Sequence, residues 1–397
     1  MTEVFDFDAP IDRREVPALK THPIVLGADG ADLFPAGVAD MDFRVAPSIL
    51  SALEKRALHG VFGYEAVPDG LIPALRSWLL TRHGWQVEPP DILRAPNVLN
   101  SISMALNLFT KAGDGVIVQP PVFFDFKDIL EENGRRMVEN PLLLIAGRYE
   151  MDFAGLETLA SDPATKMLFM CNPQNPVGRV WSKDELLRLG GICRKHGVLV
   201  VADEIHGDIT LGGHAYTPFA SISDTDADNS ITCLSPAKSF NIASCCSAFT
   251  VVPNPERRRA FMAENSRLTV NKNNAFASVA MQAAYESGAA WLDAAIGYIE
   301  GNLALVRARV EPVPEVTLIE PEGTFLLWLD FRALGLAPDD LTQFLREQAG
   351  WAITRGIAFG ESGAGFARLN IACRRARLDQ ALGALITAIT NHRKPTK

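Results

Sequence analysis

Short apolar runs alternate with stretches of helical periodicity through the middle of this 397-residue chain. The apolar runs cover residues 116–119, 142–145, 167–171, 198–202, 231–234 and 248–252. One stretch between them, 183–196, follows Ser182 and carries Glu185, which together form the pattern of a helix capping box. Because strands and helices that alternate over such a length pack in layers, the pattern predicts an α/β fold with a mainly parallel sheet covered on both faces.

The rest of the chain predicts an arm, a large domain and a smaller domain. Residues 1–45 are irregular and interrupted by prolines, which indicates an arm that crosses other parts of the fold. A helical pattern at 47–59 opens the large domain, which we place at 46–280. The long helical stretch 256–309 predicts an interdomain helix, and it leads into a small C-terminal α/β domain within 281–397.

Composition and charge narrow the classes of partner. The formal net charge is -9 and there is no basic block, so we expect neither nucleic acid nor a membrane surface as a partner, but a small molecule. The six cysteines show no Cys-x-x-Cys spacing, which argues against a disulfide framework and a structural metal site. Residues 1–6 lack a secretory pattern and no later segment is apolar enough to span a bilayer, so we expect a cytoplasmic protein.

Three polar residues follow three of the predicted strands. Asn175 comes after the run at 167–171, Asp203 directly after 198–202, and Lys238 shortly after 231–234. Ligands of parallel sheets bind at the carboxyl ends of the strands, so these side chains are candidates for one site. A lysine among small and apolar neighbours can lose its charge on burial and form an imine with a carbonyl cofactor.

Asp203 and His206 each allow more than one interpretation. A carboxylate at the end of a buried strand needs a cationic partner, and a protonated pyridine nitrogen of a cofactor is one such partner. The alternatives for Asp203 are a helix N-cap or an internal ion pair. His206 lies three residues on, but without further ligands at suitable spacing we predict no metal site.

Taken in order, nine segments resemble fold type I pyridoxal-phosphate enzymes, and most closely the cystathionine β-lyase-like carbon–sulfur lyases of the aminotransferase superfamily. The segments are 11–14, 38–43, 62–64, 113–118, 172–178, 203–206, 235–241, 321–325 and 368–372. The Ala-Asp-Met-Asp-Phe sequence at 39–43 and the Asp-Glu-Ile-His sequence at 203–206 favour the lyase branch over ordinary aminotransferases. The resemblance implies a large domain with a seven-stranded sheet, and pyridoxal 5′-phosphate as the cofactor.

The resemblance also implies roles for individual residues. Lys238 would join the cofactor and later carry protons, Asp203 would pair with the pyridine nitrogen, and Phe123 would stack on the ring. Asn175, with His206 as a second candidate, would contact the ring oxygen.

Further implied contacts involve the phosphate. Backbone N–H groups of Asn100, Ser101 and Ile102 at a helix start, together with the Ser235 hydroxyl, would bind it. Tyr64 would reach the phosphate of a neighbouring subunit, which implies a homodimer with shared active sites.

On the substrate side, Arg368 would hold the α-carboxylate of an amino acid, with help from the backbone of Ala39 and the side chain of Asn175. The implied reaction is cleavage of an L-cysteine S-conjugate to a thiol, pyruvate and ammonia. An aminotransferase shares the early steps and stays an alternative. So do a decarboxylating or oxidatively deaminating enzyme acting on the same conjugates, and a binding protein built on a degenerate enzyme fold.

Several positions depart from the usual family pattern, among them Ser244-Cys245, Phe325 and Arg374. Phe123 replaces a stacking Tyr, so a phenol hydrogen bond is lost, and Cys246 lies where many aminotransferases have a phosphate-binding Arg. Gly37 stands where a Trp is common, which suggests room for a bulky substrate. These departures suggest a specialised S-conjugate or a changed fate of the carbanion formed during the reaction.

Overall fold

The structure is a computed structural model that describes residues 5–393. Residues 1–4 of the predicted arm and 394–397 of the predicted small domain lie outside the described residues. The strands are β1 (Phe34–Pro35), β2 (Ile92–Ala95), β3 (Gly115–Val118), β4 (Arg136–Glu139), β5 (Leu143–Ile145), β6 (Arg148–Glu150), β7 (Thr165–Cys171), β8 (Leu199–Asp203), β9 (Ser230–Leu234), β10 (Ala248–Val251), β11 (Thr317–Ile319), β12 (Leu326–Asp330), β13 (Trp351–Ala352), β14 (Thr354–Arg355) and β15 (Phe366–Asn370).

The helices follow the periodic stretches between these strands. They are α1 (Pro23–Leu26), α2 (Pro47–His59), α3 (Leu71–His83), α4 (Val98–Phe109), α5 (Asp125–Glu132), α6 (Phe153–Ala160), α7 (Lys183–His196), α8 (Asp224–Asp228), α9 (Pro255–Arg267), α10 (Ala275–Ser287), α11 (Ala289–Val310), α12 (Pro338–Glu347) and α13 (Arg375–His392). Ser182 and Glu185 form the predicted capping box at the start of α7. Among the described residues, no helix is long and apolar enough to cross a membrane.

The central sheet has seven strands in the described residues, in the order β2-β10-β9-β8-β7-β3-β4. β10 runs antiparallel to both of its neighbours, and the other pairs are parallel. Leu168 and Val200 enter the core on one face, whereas Phe169 and Val201 enter the core on the other. Because successive apolar residues bury opposite faces, the sheet is covered on both sides, and the predicted fold class is confirmed.

Three details of the sheet differ from the prediction, one of which is that β2 joins the sheet although no apolar run was predicted there. The apolar run at 142–145 does not join the sheet but forms a separate hairpin of β5 and β6. Ala146 and Gly147 turn this hairpin with φ of 48° and 82°, the positive values that a tight two-residue turn requires. The edge of the sheet is instead β4, whose Arg136 and Glu139 are exposed. A half-exposed edge strand lacks a continuous apolar run, which is why the pattern missed it.

The long helical stretch at 256–309 consists of three helices, α9, α10 and α11. α10 packs against α2 and α3, so it belongs with the large domain, and the predicted boundary at residue 280 falls inside it. A helix whose face is buried against one domain is not divided at that point, which moves the junction to Gly288, between α10 and α11. α11 then packs on α13 beside the antiparallel sheet β11-β12-β15-β14.

The arm is attached to the C-terminal part of the chain by backbone and side-chain contacts. β1 pairs with β13 in parallel. Asn370 at the end of β15 donates hydrogen bonds to the carbonyl oxygens of Val38 and Asp40, each at 2.7 Å. Arg13 forms ion pairs with Asp40 and Asp42. These contacts fix residues 37–43 beside the carboxyl ends of the large-domain strands.

Candidate active site

The carboxyl ends of β7, β8 and β9 open into a cavity of about 390 Å³. Asn175 follows β7, Asp203 ends β8 and Lys238 follows β9, and all three line the cavity. Because neighbouring parallel strands end at the same edge, residues far apart in sequence meet here. The other predicted residues that line the cavity are Ala39, Phe123, His206 and Ser235.

The amine of Lys238 is held inside this cavity. Its Nζ donates a hydrogen bond to the carbonyl oxygen of Ala39 at 2.7 Å. Burial, followed by the nearby charge of Arg368, lowers the pKa of Lys238. Asn241 fixes the arm against the lysine loop, since its Oδ1 accepts from the Met41 N–H at 2.9 Å. A lysine with a lowered pKa presents more neutral amine, the form that acts as nucleophile and base.

The carboxylate of Asp203 is buried and has few hydrogen-bonding partners. It accepts one hydrogen bond, from the Ile205 N–H at 3.2 Å, and forms no ion pair within the described residues. Burial raises the pKa of Asp203 to about 6, although the charge of Lys238 opposes the change. A cation placed against this carboxylate would keep it ionised.

Asn175 lines the cavity, whereas the predicted Arg368 is not among the lining residues and lies next to Asn175. Arg368 donates to Asn175 Oδ1 at 2.9 Å and to the Gly37 carbonyl oxygen at 2.7 Å. Its Nε is buried and has no partner, and no carboxylate in residues 5–393 forms an ion pair with it. Burial lowers the pKa of Arg368 to about 9. A buried guanidinium without a carboxylate is suited to bind one from a ligand. Ala39, predicted to assist here, accepts a hydrogen bond from Lys238 through its carbonyl oxygen, and its contact with the substrate stays a prediction.

Glu204 and His206 both follow Asp203 in sequence, but they differ in role. The Nδ1 of His206 is buried without a partner, and burial holds the pKa of this imidazole well below its ordinary value. Glu204 accepts from the Tyr216 hydroxyl and from the Phe219 N–H, and burial raises the pKa of Glu204 to about 8. Glu204 therefore holds the loop that follows β8, whereas the neutral His206 borders the cavity.

The start of α4 corrects the predicted phosphate contacts at Asn100, Ser101 and Ile102. The helix begins two residues earlier, at Val98, because Asn97 caps it: Asn97 Oδ1 accepts from the Asn100 N–H at 2.8 Å. The Ser101 hydroxyl bonds to Thr250 Oγ1 at 2.7 Å, and Ile102 lies in the core. The cavity is lined instead by 96–99, where the N–H groups of Val98 and Leu99 have no acceptor among the described residues.

Gly37 does not widen the cavity as expected. A side chain there would meet Thr354 Oγ1 at 3.1 Å and the backbone of Ile353 at 3.2 Å, so β14 and the residue before it fill that space.

Ser235 lines the cavity, and its hydroxyl lies 2.9 Å from the Ser247 carbonyl oxygen and 3.4 Å from the Cys246 sulfur. Tyr64 is fully exposed, away from the cavity of its own chain.

Comparison with known proteins decides the family. The model of aminotransferase class I and II matches residues 37–385. The chain belongs to this family. Cystathionine β-lyase PatB of Bacillus subtilis (strain 168) is 43% identical over 360 residues, which cover 90% of this chain and 93% of PatB.

Solved structures extend the family likeness to the whole fold. Cystalysin from Treponema denticola, which contains a pyridoxal 5′-phosphate cofactor, matches with a TM-score of 0.92 and 32% identity, over 98% of this chain and 100% of cystalysin. The pyridoxal-phosphate-bound C–S lyase from Staphylococcus hominis matches with a TM-score of 0.91 and 28% identity, again over 98% and 100% of the two chains. The resemblance and the fold type I architecture predicted from the sequence are confirmed.

The cavity of this aminotransferase-family chain fits pyridoxal phosphate. Asp203 is a buried carboxylate that lacks a cation, and Lys238 is a buried amine with a lowered pKa. The free N–H groups of Val98 and Leu99 lie at a helix start, where a phosphate is favoured. Phe123 supplies an aromatic ring at the cavity wall. These donor and acceptor groups match a phosphate, a pyridine nitrogen and an aldehyde.

Sequence reasoning missed two parts of this family's site. Val98 and Leu99 were missed because the helix start was placed two residues too late, and the signal was Asn97, a preferred N-cap residue followed by an apolar helical pattern. Asp125 also lines the cavity and was not singled out. Its signal was weak, because an acidic residue in the first turn of a helix is common on any surface.

Proposed function

We propose that the protein is a pyridoxal-phosphate-dependent carbon–sulfur β-lyase that cleaves an L-cysteine S-conjugate to a thiol, pyruvate and ammonia. Pyridoxal 5′-phosphate is its cofactor. The observation that carries the proposal is the Lys238 amine, poised beside Asp203 and near Arg368, which lacks a carboxylate partner. The names of PatB and of the Staphylococcus hominis C–S lyase support the choice of reaction.

The residues divide the work of the reaction. When bound, pyridoxal phosphate supplies an aldehyde that joins amines and a ring that accepts electrons. Asp203 would hold a positive charge at the ring nitrogen, and Phe123 would cover the ring face. Arg368 holds the substrate α-carboxylate, and Asn175 orients Arg368 through its Oδ1. Lys238 Nζ accepts the α-proton of the substrate. The carbon–sulfur bond then breaks, and one water is consumed as thiol, pyruvate and ammonium are formed.

Elimination and amino-group transfer share their first steps, so product analysis separates them. The purified, cofactor-loaded protein is incubated with L-cystathionine and with simple S-alkyl-L-cysteines in the absence of any keto acid. We expect thiol and pyruvate to appear in equal amounts, with no carbon dioxide. A requirement for a keto-acid acceptor would point to an aminotransferase, and carbon dioxide would point to decarboxylation. The Lys238→Ala variant is the control for uncatalysed cleavage.

We also propose a homodimer in which Tyr64 reaches the phosphate site of the partner subunit. Tyr64 is fully exposed in a single chain, and the neighbouring Leu58, Val61 and Phe62 are exposed as well, which favours a covered surface. Mixing the inactive Tyr64→Ala and Lys238→Ala variants after reversible dissociation tests this. Because one of the two sites in each mixed dimer is intact, activity should return to about a quarter of the wild-type value. Equally inactive mixtures would refute the shared site. A cytoplasmic location stays a prediction.

A further inference from the structure

One acidic side chain in the cavity has no partner in the part of the chain that the structure describes. Asp125 is the first residue of α5 and lines the cavity together with Phe123 and Lys238. Its carboxylate forms no hydrogen bond and no ion pair within residues 5–393. A carboxylate that is partly removed from water is stabilised by a cation, because an isolated charge away from water is unfavourable. The proposed reaction gives Asp125 no role.

The charges around Asp125 can be named. Burial and the nearby Asp128 raise the pKa of Asp125, whereas the charges of Lys238 and Arg368 lower it. Asp203 also lies within electrostatic range. The two neighbouring cations are therefore the groups of this chain that could compensate Asp125, although neither contacts it.

Both cations, Lys238 and Arg368, take part in other interactions during the proposed reaction. Lys238 accepts a proton only as a neutral amine, so it cannot compensate Asp125 at that moment. Arg368 is neutralised by the α-carboxylate of the substrate. The α-amino group of the substrate is consumed in joining the cofactor aldehyde. A cation for Asp125 must then come from the remaining part of the substrate, which is the substituent on sulfur.

We infer that Asp125 determines specificity by binding a cationic group on the sulfur substituent, such as a primary ammonium, so that the enzyme prefers S-conjugates whose leaving thiol is cationic. The inference rests on the proposed function, since it names the substrate class for the same site. A charge-assisted hydrogen bond to a desolvated carboxylate discriminates by about tenfold to a hundredfold against an uncharged isostere.

A matched pair of substrates tests this preference. S-(2-aminoethyl)-L-cysteine and S-propyl-L-cysteine differ by an ammonium in place of a methyl group at the end of the same chain. For the cofactor-loaded wild type, we expect kcat/KM to be about tenfold to a hundredfold higher for the aminoethyl compound. The Asp125→Asn variant should lose this preference by losing activity on the aminoethyl compound alone. Asp125→Glu, which keeps the charge, should retain part of it.

Asp128→Asn is the matched control, since it removes the same charge from the exposed side of the same helix and should leave the preference unchanged. The affinity of each compound is also measured from the change in cofactor absorbance, which needs no carbon–sulfur cleavage. Loss of aminoethyl affinity in Asp125→Asn would support the inference even if neither compound is cleaved, in which case the lyase proposal alone fails. Equal losses for both compounds, or a wild type that prefers the propyl compound, would overturn the inference while leaving the lyase intact.

Discussion

Replacing Asp203 by Asn should stabilise the cofactor-free protein while removing its activity. The pKa of Asp203 is raised from 3.8 to about 6 by burial. Between these values the folded chain keeps a proton that the unfolded chain has lost, so stability falls as the pH rises from about 4 to 6. Each unit of pKa difference corresponds to about 1.4 kcal/mol, so the loss at neutral pH is about 3 kcal/mol. The side chain of Asn has no titratable group, so the variant does not lose this stability as the pH rises.

The assay is denaturation of the cofactor-free wild type and of Asp203→Asn between pH 4 and 8. We expect the variant's advantage to be small at pH 4, to grow through pH 6 and to stay at about 3 kcal/mol above it. Glu204 titrates in the same range, and because the charge of Asp203 contributes to its raised pKa, the difference between the two proteins reports on this coupled pair. With cofactor and substrate, the variant should be about a hundredfold to a thousandfold slower, because a buried cation loses its carboxylate.

Asp208→Asn is the control of opposite sign. Asp208 is also buried, which tends to raise its pKa, but hydrogen bonds from His83, Ser239 and Trp78 outweigh burial and lower it. A carboxylate with a lowered pKa contributes stability above its unfolded pKa, so this variant should lose stability at neutral pH. If the advantage of Asp203→Asn is the same at pH 4 as at pH 7, or if it is a disadvantage at pH 7, the account of a strained, unpaired carboxylate is wrong.

Three further predictions follow from the same contacts. Lys238→Ala should abolish turnover and the absorbance of covalently held cofactor; full activity would refute the assigned base. Arg368→Lys should raise KM for amino-acid substrates by about tenfold to a hundredfold, since a planar, two-pronged donor is lost, whereas the exposed Arg355→Lys should be neutral in steady-state kinetics. Asn97→Ala should weaken cofactor binding about fivefold to tenfold in equilibrium titration, because the cap of α4 is lost. Asn254→Ala, which removes the cap of α9, should cost similar stability without changing cofactor affinity.

The amino-acid sequence by itself determined the parts of the site that depend on local order along the chain. Asp203 comes directly after an apolar run and Lys238 four residues after one, and a run buried on both faces must be an inner strand of a covered sheet. Since parallel strands end at one edge, their convergence followed from the pattern alone. The capping box at Ser182 was likewise readable, because both of its partners lie within one helical turn.

Tertiary structure decided what depends on distant contacts and on the direction of each side chain. The exposed edge strand β4 has too few apolar residues to be predicted as a strand from the sequence. The space beside Gly37 is filled by Thr354, which comes from a strand that is distant in sequence. α4 begins two residues earlier than predicted, so the N–H groups that lack an acceptor among the described residues are those of Val98 and Leu99 and not those of Asn100–Ile102. In the sequence, Asp125 is an ordinary acidic residue in the first turn of a helix. In the folded chain, Lys238 and Arg368 lie near enough for their charges to lower its pKa, although both are far away in sequence.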